Sequence, residues 1–217
     1  MSGSGLQQVE LVVRAIAQSA VDNEKHFGDL DAVVGDGDFG YSLARGFEKV
    51  LEGWDGIDRT DPGTFLKKIG MLVTSRCGGT SGPIWGTGFL RAGMTAGDVQ
   101  QLDGAKVVEM LRAAVEGIKA RGQSDVGDKT VLDVLVPMTD RLEAELQSGT
   151  GAEQALAAMA ETAETAETAA EATKDMVAKR GRAAYTGERS KGSLDAGAMG
   201  IAVIMKSIND AWSKGAS

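Results

Sequence analysis

The stretch Leu30-Asp31-Ala32-Val33-Val34-Gly35-Asp36-Gly37-Asp38-Phe39-Gly40 decides between two folds. Read literally, it is a strand-like run followed by G-x-G-x-x-G, with Asp58 at about the right distance onward for a ribose contact. That is the fingerprint of a dinucleotide-binding βαβ unit. Two physical facts oppose it. The residues between the glycines are Asp36 and Asp38, whose carboxylates would meet a pyrophosphate repulsively unless a cation lay between, and no alternating strand and helix pattern follows. A lone strand also has no sheet to join. With divalent cations the objection reverses, because Asp31, Asp36 and Asp38 offer the hard oxygen ligands that magnesium takes, with phosphate oxygens completing its shell. For this motif alone, a solvated acidic turn is the competing reading.

On either side of the motif the apolar residues recur at helical spacing. Leu6, Val9, Val13, Ile16, Ala17 and Ala20 predict a first helix ending near His26–Gly28, and Leu43, Phe47, Val50 and Leu51 a second over Tyr41–Gly53. Asp61 then Pro62, a cap followed by proline in the first turn, opens a third that Gly78–Gly79 stops. A fourth begins at Ser81 with Ile84, Trp85, Phe89 and Leu90, and a fifth at Asp103, closed by Gly122. Asp128 is a candidate cap for a sixth, in which Pro137 removes one backbone donor and predicts a kink. From about Ala152 to Arg180 the chain is rich in Ala, Glu and Thr, predicting a seventh helix with a small-residue packing face. The last starts near Asp195 and runs to Trp212. Eight helices with short connections predict an all-α fold, an eight-helix antiparallel up-and-down barrel or bundle, in one domain over residues 1–217.

Composition narrows the partners. Lys plus Arg is 23 against 31 Asp plus Glu, a formal charge of −8, which argues against a basic surface for nucleic acid or anionic lipid, so a polyanionic ligand would need metal ions. The single Cys77 excludes an internal disulfide and suits a reducing compartment. No stretch approaches a membrane span, and Met1–Gly5 reads as a short polar lead-in, so the expected location is cytoplasmic. The 30 glycines, against 3 prolines, read as clustered turns between helices.

Four glycine-rich breaks stand at 35–40, 78–82, 122–127 and 187–197, all adjoining helix ends. In an up-and-down bundle alternate connections share one end, so these breaks are expected to converge on one ligand. Cys77-Gly78-Gly79-Thr80-Ser81-Gly82 offers amides near a helix start, an anion site, although a glycine C-cap followed by a serine N-cap explains it equally. Gly122 to Thr130 nearly spells a P-loop, but Asp128 separates Gly127 from Lys129 and no strand precedes it, which leaves a helix-capped loop bordering a nucleotide. The fourth break, taken from Gly181 through Ser190 and on to Asp195–Gly197, carries Arg182 and Arg189, which suit phosphate or else pair with surface acids. His26, the single histidine, is read as a partly exposed residue at a helix end, and Cys77 as a small buried residue. Trp85 and Trp212 are read as packing.

In their order and spacing, Gly35–Gly40, Gly78–Pro83, Gly127–Thr130, Gly181–Ser190 and Asp195–Gly197 resemble the motifs of the nucleotide-binding L subunit of the dihydroxyacetone kinase family, over nearly the whole chain. The resemblance implies an eight-helix antiparallel barrel with ADP or ATP and two magnesium ions at one end, the ions held by Asp31, Asp36 and Asp38. It carries nucleotide contacts to Phe39, Gly40, Tyr41, Ser42, Thr80, Ser81, Gly122, Val131, Arg182, Asp195, Ala196 and Gly197. It also implies a catalytic role for Arg182, as positive charge at the transferring phosphoryl. The ketose then sits on a separate K subunit, and a phosphoprotein of the sugar phosphotransferase system is an alternative phosphoryl donor to ATP. A homodimer stays open. Three departures alter the rim: Phe39 stands for the family's usual histidine, Ser193-Leu194 for His-Gln, and Ala196 for proline. They leave room for another short ketose, such as a tetrulose, and for a rival reading as a non-catalytic nucleotide-sensing or regulatory subunit.

Overall fold

The computed structural model describes residues 4–147 and 152–216, so that most of the Met1–Gly5 lead-in lies outside the described residues. Among them are nine α-helices and no strand. The helices are α1 (Gly5–Asp22), α2 (Glu24–Asp31), α3 (Asp38–Glu52), α4 (Pro62–Arg76), α5 (Ser81–Ala96), α6 (Gly104–Gly122), α7 (Leu132–Gln147), α8 (Ala152–Ala172) and α9 (Ala196–Ala216). Their starts follow local chemistry. The Ser4 hydroxyl accepts from Gln7 N–H at 3.3 Å and the Gln7 side chain accepts from Ser4 N–H at 2.9 Å, a reciprocal capping box. Asp61 and Asp103 accept from Thr64 and Lys106 amides at 2.6 and 2.8 Å, capping α4 and α6.

The helices close a ring: α1 packs on α3, α3 on α4, each later helix on its successor, and α9 back on α1. Helix α2 stands outside that circuit, against α3 and α9. The expected eight-helix barrel is therefore present with one helix added, because the first predicted helix divides at Asn23. There the backbone leaves helical geometry at φ −104° and ψ 16°, while the Asn23 side-chain amide donates to the Ser19 carbonyl at 2.8 Å. An asparagine that competes for the preceding turn's carbonyl is a common way to end a helix. The chain re-enters helix at once and carries Leu30 with it, so Leu30–Val34 is a helix end and a turn, not a strand.

Two other boundaries move for equally local reasons. Helix α7 starts at Leu132 and not at Asp128, because Asp133 takes the Gly127 and Thr130 amides at 2.6 and 2.7 Å; Pro137 lies inside it. Helix α8 stops at Ala172, short of Arg180, where the Thr173 hydroxyl donates to the Ala170 carbonyl at 2.6 Å and a single 3-10 turn follows.

The glycines do more than turn the chain. A Cβ on Gly70 of α4 would lie 2.8 Å from the Gly86 carbonyl of α5, and one on Gly63 would lie 2.6 Å from the Gly93 carbonyl. Helices α4 and α5 thus pack backbone against backbone. Apolar residues form two main clusters, one around Phe27, Phe47, Phe65 and Trp54, the other around Val134, Met138, Ala198 and Ile204, with Ile16 and Trp85 bordering both. Between them the ring keeps a cavity of about 740 Å³ with an almost wholly apolar lining. No helix among the described residues is long and apolar enough to cross a membrane.

Candidate functional site

The four glycine-rich breaks are alternate connections of the ring, α2 to α3, α4 to α5, α6 to α7 and α8 to α9. They meet. A Cβ on Gly78 would lie 2.8 Å from Ser42 Oγ, which puts the second break against the start of α3. One on Gly122 would lie 3.1 Å from Ile84 Cδ1, and one on Gly197 would lie 2.9 Å from Val131 Cγ1. The fourth break reaches the first directly, through an ion pair between Arg182 and Asp36.

The aspartate turn is shaped by its glycines. Gly37 has φ 77°, a left-handed geometry that disfavours a side chain, and a Cβ on Gly35 would be driven into the Asp31 carboxylate. Asp31 Oδ2 accepts from Phe39 N–H at 3.3 Å, which ties the end of α2 to the start of α3. Burial raises the Asp31 pKa, the Phe39 amide opposes it, Asp36 adds to it, and Arg182 works against it at longer range. Asp38 is exposed in the first turn of α3, where its charge is favoured by the helix dipole. Among the described residues no three carboxylate, thiol or imidazole groups are drawn close enough to hold an ion as they stand. The donors nevertheless fit a hard divalent cation: Asp31 and Asp36 repel one another, all their side-chain ligating atoms are oxygen, and Arg182 is the cation now answering Asp36.

Against the start of α3 lies the turn 77–81, where Gly79 has φ 58° and Thr80 is exposed at the N-terminus of α5 with no side-chain cap bond. The α5 amides there are free of a side-chain cap from Thr80, as an anion requires. Asp195 is differently employed, since Oδ1 accepts from Ala198 N–H at 2.7 Å and caps α9. Burial pushes its carboxyl up to about 6; the Ala198 amide opposes this, Asp133 and Asp31 add to it, and Lys129 lowers it. Ala196 and Gly197 follow in the first turn of α9.

Phe39 does not reach out as a rim group. Its ring centroid lies 5.9 Å from that of Phe27, and a Cβ on Gly200 would sit 3.4 Å from its edge, so the aromatic packs into the wall between α2, α3 and α9. Tyr41, also expected at the nucleotide, is exposed and stacks with Arg45 at 5.2 Å. His26 is exposed beside Phe27. Cys77 is buried and its thiol is pushed up to about 12 by that burial, which suits packing and not attack.

Three residues at the end of the α6–α7 connection and the start of α7 have partners that sequence reading did not supply. Asp133 is 4% exposed and gathers two loop amides. Asp128, set aside as a helix cap, pairs outward with Lys179 and Arg180 at 3.3 and 3.5 Å. Lys129 is 1% exposed and buries its ammonium among carbonyls of the fourth break; that burial lowers its pKa, with Asp195 opposing. The near P-loop spelling was the available signal, and its register diverted attention from the lysine.

Comparison with known proteins places this geometry. The chain is 37% identical over 177 residues to the ADP-binding subunit DhaL of the Escherichia coli PEP-dependent dihydroxyacetone kinase, covering 82% of this chain and 83% of that one. It is 35% identical over 183 residues to the corresponding subunit of Listeria innocua kinase 1, covering 84% and 85%. It is also 34% identical to the L-erythrulose 1-kinase of Mycolicibacterium smegmatis, spanning 94% of this chain but only 35% of that protein. Among solved structures, the dihydroxyacetone kinase of C. freundii in complex with AMP-PNP and Mg2+ has a TM-score of 0.67 at 27% identity, covering 95% of this chain and 33% of that one. The native form of the same enzyme gives 0.71 at 26% identity, covering 94% and 34%. Residues 33–210 match the DAK2 domain, a span that opens inside the aspartate turn and closes in the last helix, and the chain therefore belongs to the DAK2 domain family.

Proposed function

We propose that this chain is, over residues 1–217, a single nucleotide-binding domain: the ADP- or ATP- and magnesium-binding subunit of a short-chain ketose kinase whose ketose is held on a separate K subunit. The observation that carries the reading is the meeting of Arg182 with Asp36 across 146 positions of sequence, beside Asp31. The start of α5, which has no side-chain cap, follows a turn that lies against the start of α3. Acids, a guanidinium and helix-start amides gathered on glycine turns are what a polyphosphate with its counter-ions needs. Relatives named as ADP-binding subunits of dihydroxyacetone kinases, and a structural neighbour solved with AMP-PNP and Mg2+, support it.

In this reading Asp31, Asp36 and Asp38 hold magnesium, two ions, and the nucleotide lies along Phe39–Ser42, Thr80, Ser81, Gly122, Val131 and Asp195–Gly197. Magnesium, when bound, neutralises phosphate oxygens. The ketose hydroxyl oxygen bonds to the γ-phosphorus of ATP as the bond to the ADP oxygen breaks, and the hydroxyl proton passes to a base on the K subunit or to water. The chain contributes positioning and charge: the amides of the 78–81 turn orient the phosphates, and Arg182 turns from Asp36 toward the transferring group. Either ATP exchanges at each turnover, or retained ADP is rephosphorylated by a phosphotransferase-system phosphoprotein. Nucleotide released on denaturing the purified protein favours the second.

The test is calorimetry of ADP binding with magnesium. Asp36→Asn and Asp38→Asn are expected to abolish it while leaving the helical circular dichroism intact, and unchanged affinity in both variants would remove the assignment. Mixing the chain with a K subunit, ketose and ATP separates a kinase from a nucleotide sensor, because a sensor binds nucleotide and yields no phosphorylated ketose.

A further inference from the structure

The chain from Met176 to Ser193 leaves the body of the protein and returns to it at one place. Its interior has little core of its own: Lys179–Arg182, Tyr185, Glu188 and Arg189 are exposed, and Gly181 and Gly187 have φ 66° and 55°. Its two ends are drawn together by Lys129, which lies in neither. The Lys129 ammonium donates to the Ser193 carbonyl at 2.7 Å, to the Met176 carbonyl at 3.3 Å and, by a short contact, to the Ser190 carbonyl, with Ser193 Oγ at 3.4 Å. No carboxylate is among these partners. An ammonium carries three donors in a tetrahedral fan, which matches carbonyls arriving from both sides of a neck. The backbone of Lys129 is left-handed at φ 61°, unusual for a residue with a side chain, and turns that side chain inward while Asp128 pairs outward with Lys179 and Arg180. Two further bonds cross the same neck, Ala178 N–H to Ser190 Oγ at 2.8 Å and Gly192 N–H to the Lys174 carbonyl at 2.7 Å.

We propose that Lys129 is the positioning residue for Arg182: its buried ammonium closes the neck of the 176–193 loop and so holds the guanidinium over the Asp31–Asp36 turn. The inference rests on the reading of Arg182 as a phosphate-facing charge. The bonds of the Lys129 ammonium go to Met176, Ser190 and Ser193 and not to Asp31, Asp36, Asp38 or Arg182, so it acts through the loop. A side chain of similar length without donors takes the ammonium from the Met176 and Ser193 carbonyls and leaves the Ser190 carbonyl with the Ser193 hydroxyl at 2.7 Å, and the neck opens to let the freed carbonyls reach water.

The experiment uses Lys129→Met, Arg182→Gln and the double variant in the full chain, with two readouts: affinity for magnesium–ADP by calorimetry, and amide hydrogen exchange over residues 179–189. Lys129→Met is expected to weaken binding about tenfold, the loss of about one charge-assisted contact, and to speed exchange across the loop. Arg182→Gln is expected to weaken binding to a similar extent with exchange unchanged, and the double variant to bind no worse than the weaker single. Unchanged exchange in Lys129→Met overturns the proposal, and so do single losses that multiply to about a hundredfold in the double variant. Normal binding by Arg182→Gln would instead sink the role given to Arg182, leaving the neck to be judged by exchange alone. Should Lys129→Met not fold, Ser190→Ala loosens the neck from its other side with the ammonium in place. It is expected to speed exchange over the same residues, and unaltered exchange counts against the proposal.

Discussion

Replacing Asp133 by alanine is expected to cost the fold about 3 kcal/mol. The carboxylate is 4% exposed and accepts two backbone amides, Gly127 N–H at 2.6 Å on Oδ1 and Thr130 N–H at 2.7 Å on Oδ2. Each is a charge-assisted bond inside the protein, and stripping the acceptor leaves a donor unsatisfied at roughly 1–3 kcal/mol apiece. Both bonds are only part-buried, so taking a little below the middle of that range for each gives the figure. For a chain of this size a loss of about 3 kcal/mol lowers the melting temperature by roughly 6–12 °C. Asp133→Asn keeps one acceptor oxygen in place and is expected to lose about half as much. The assay is thermal and urea denaturation followed by circular dichroism, with the urea slope checked for constancy between variants. A loss below about 1 kcal/mol in the alanine variant would refute the reasoning, because the two amides would then have found water or another acceptor at little cost.

Two further perturbations follow from packing and charge. Gly70→Ala puts a methyl 2.8 Å from both the Gly86 carbonyl and Leu90 Cγ, and is expected to destabilise by about 1–3 kcal/mol through separation of α4 and α5; an unchanged melting temperature would mean the pair has slack. Asp195 has its folded pKa raised to about 6, so the stability it contributes is fully present below its unfolded pKa near 4 and is lost as pH rises through about 6. Asp195→Asn keeps an acceptor for the α9 cap and removes the buried charge. It is therefore expected to gain roughly 1–3 kcal/mol on the wild type between pH 4 and 7, read as the difference between two denaturation series, and a difference that stays flat across that window contradicts the assignment.

Much of the ring could be read from sequence because its signals are local. Val9, Val13 and Ala17 are buried one helical turn apart, Asp61 and Pro62 start a helix as their chemistry requires, and alternate connections of an up-and-down ring must share an end. What escaped was carried by residues acting at a distance or by missing side chains. The division at Asn23 depends on a single side-chain bond inside an otherwise continuous apolar stripe. Glycines inside α4 and α5 look like turn formers until the facing helix is known, since an absent side chain leaves no periodic mark. In the site, the acids and Arg182 were identifiable by type, but the pairing of Arg182 with Asp36 spans 146 positions. The partners of Lys129 escaped for the same reason: its acceptors lie 47, 61 and 64 residues further on.

The backbone contact between α4 and α5 limits how the ligand-facing end of the molecule can be remodelled. The 77–81 turn joins two helices that approach closely at glycines, where an added side chain meets the backbone of the facing helix, so their spacing is hard to widen without loss of packing. In the proposed site, accommodation of a bulkier or differently shaped ligand is expected from the 176–193 loop, which has little core and is held by its neck and by a few ion pairs. On the proposed reading the 77–81 turn would serve as the fixed jaw and the 176–193 loop as the movable one, and sequence divergence that changes what is gripped is expected to accumulate in the second.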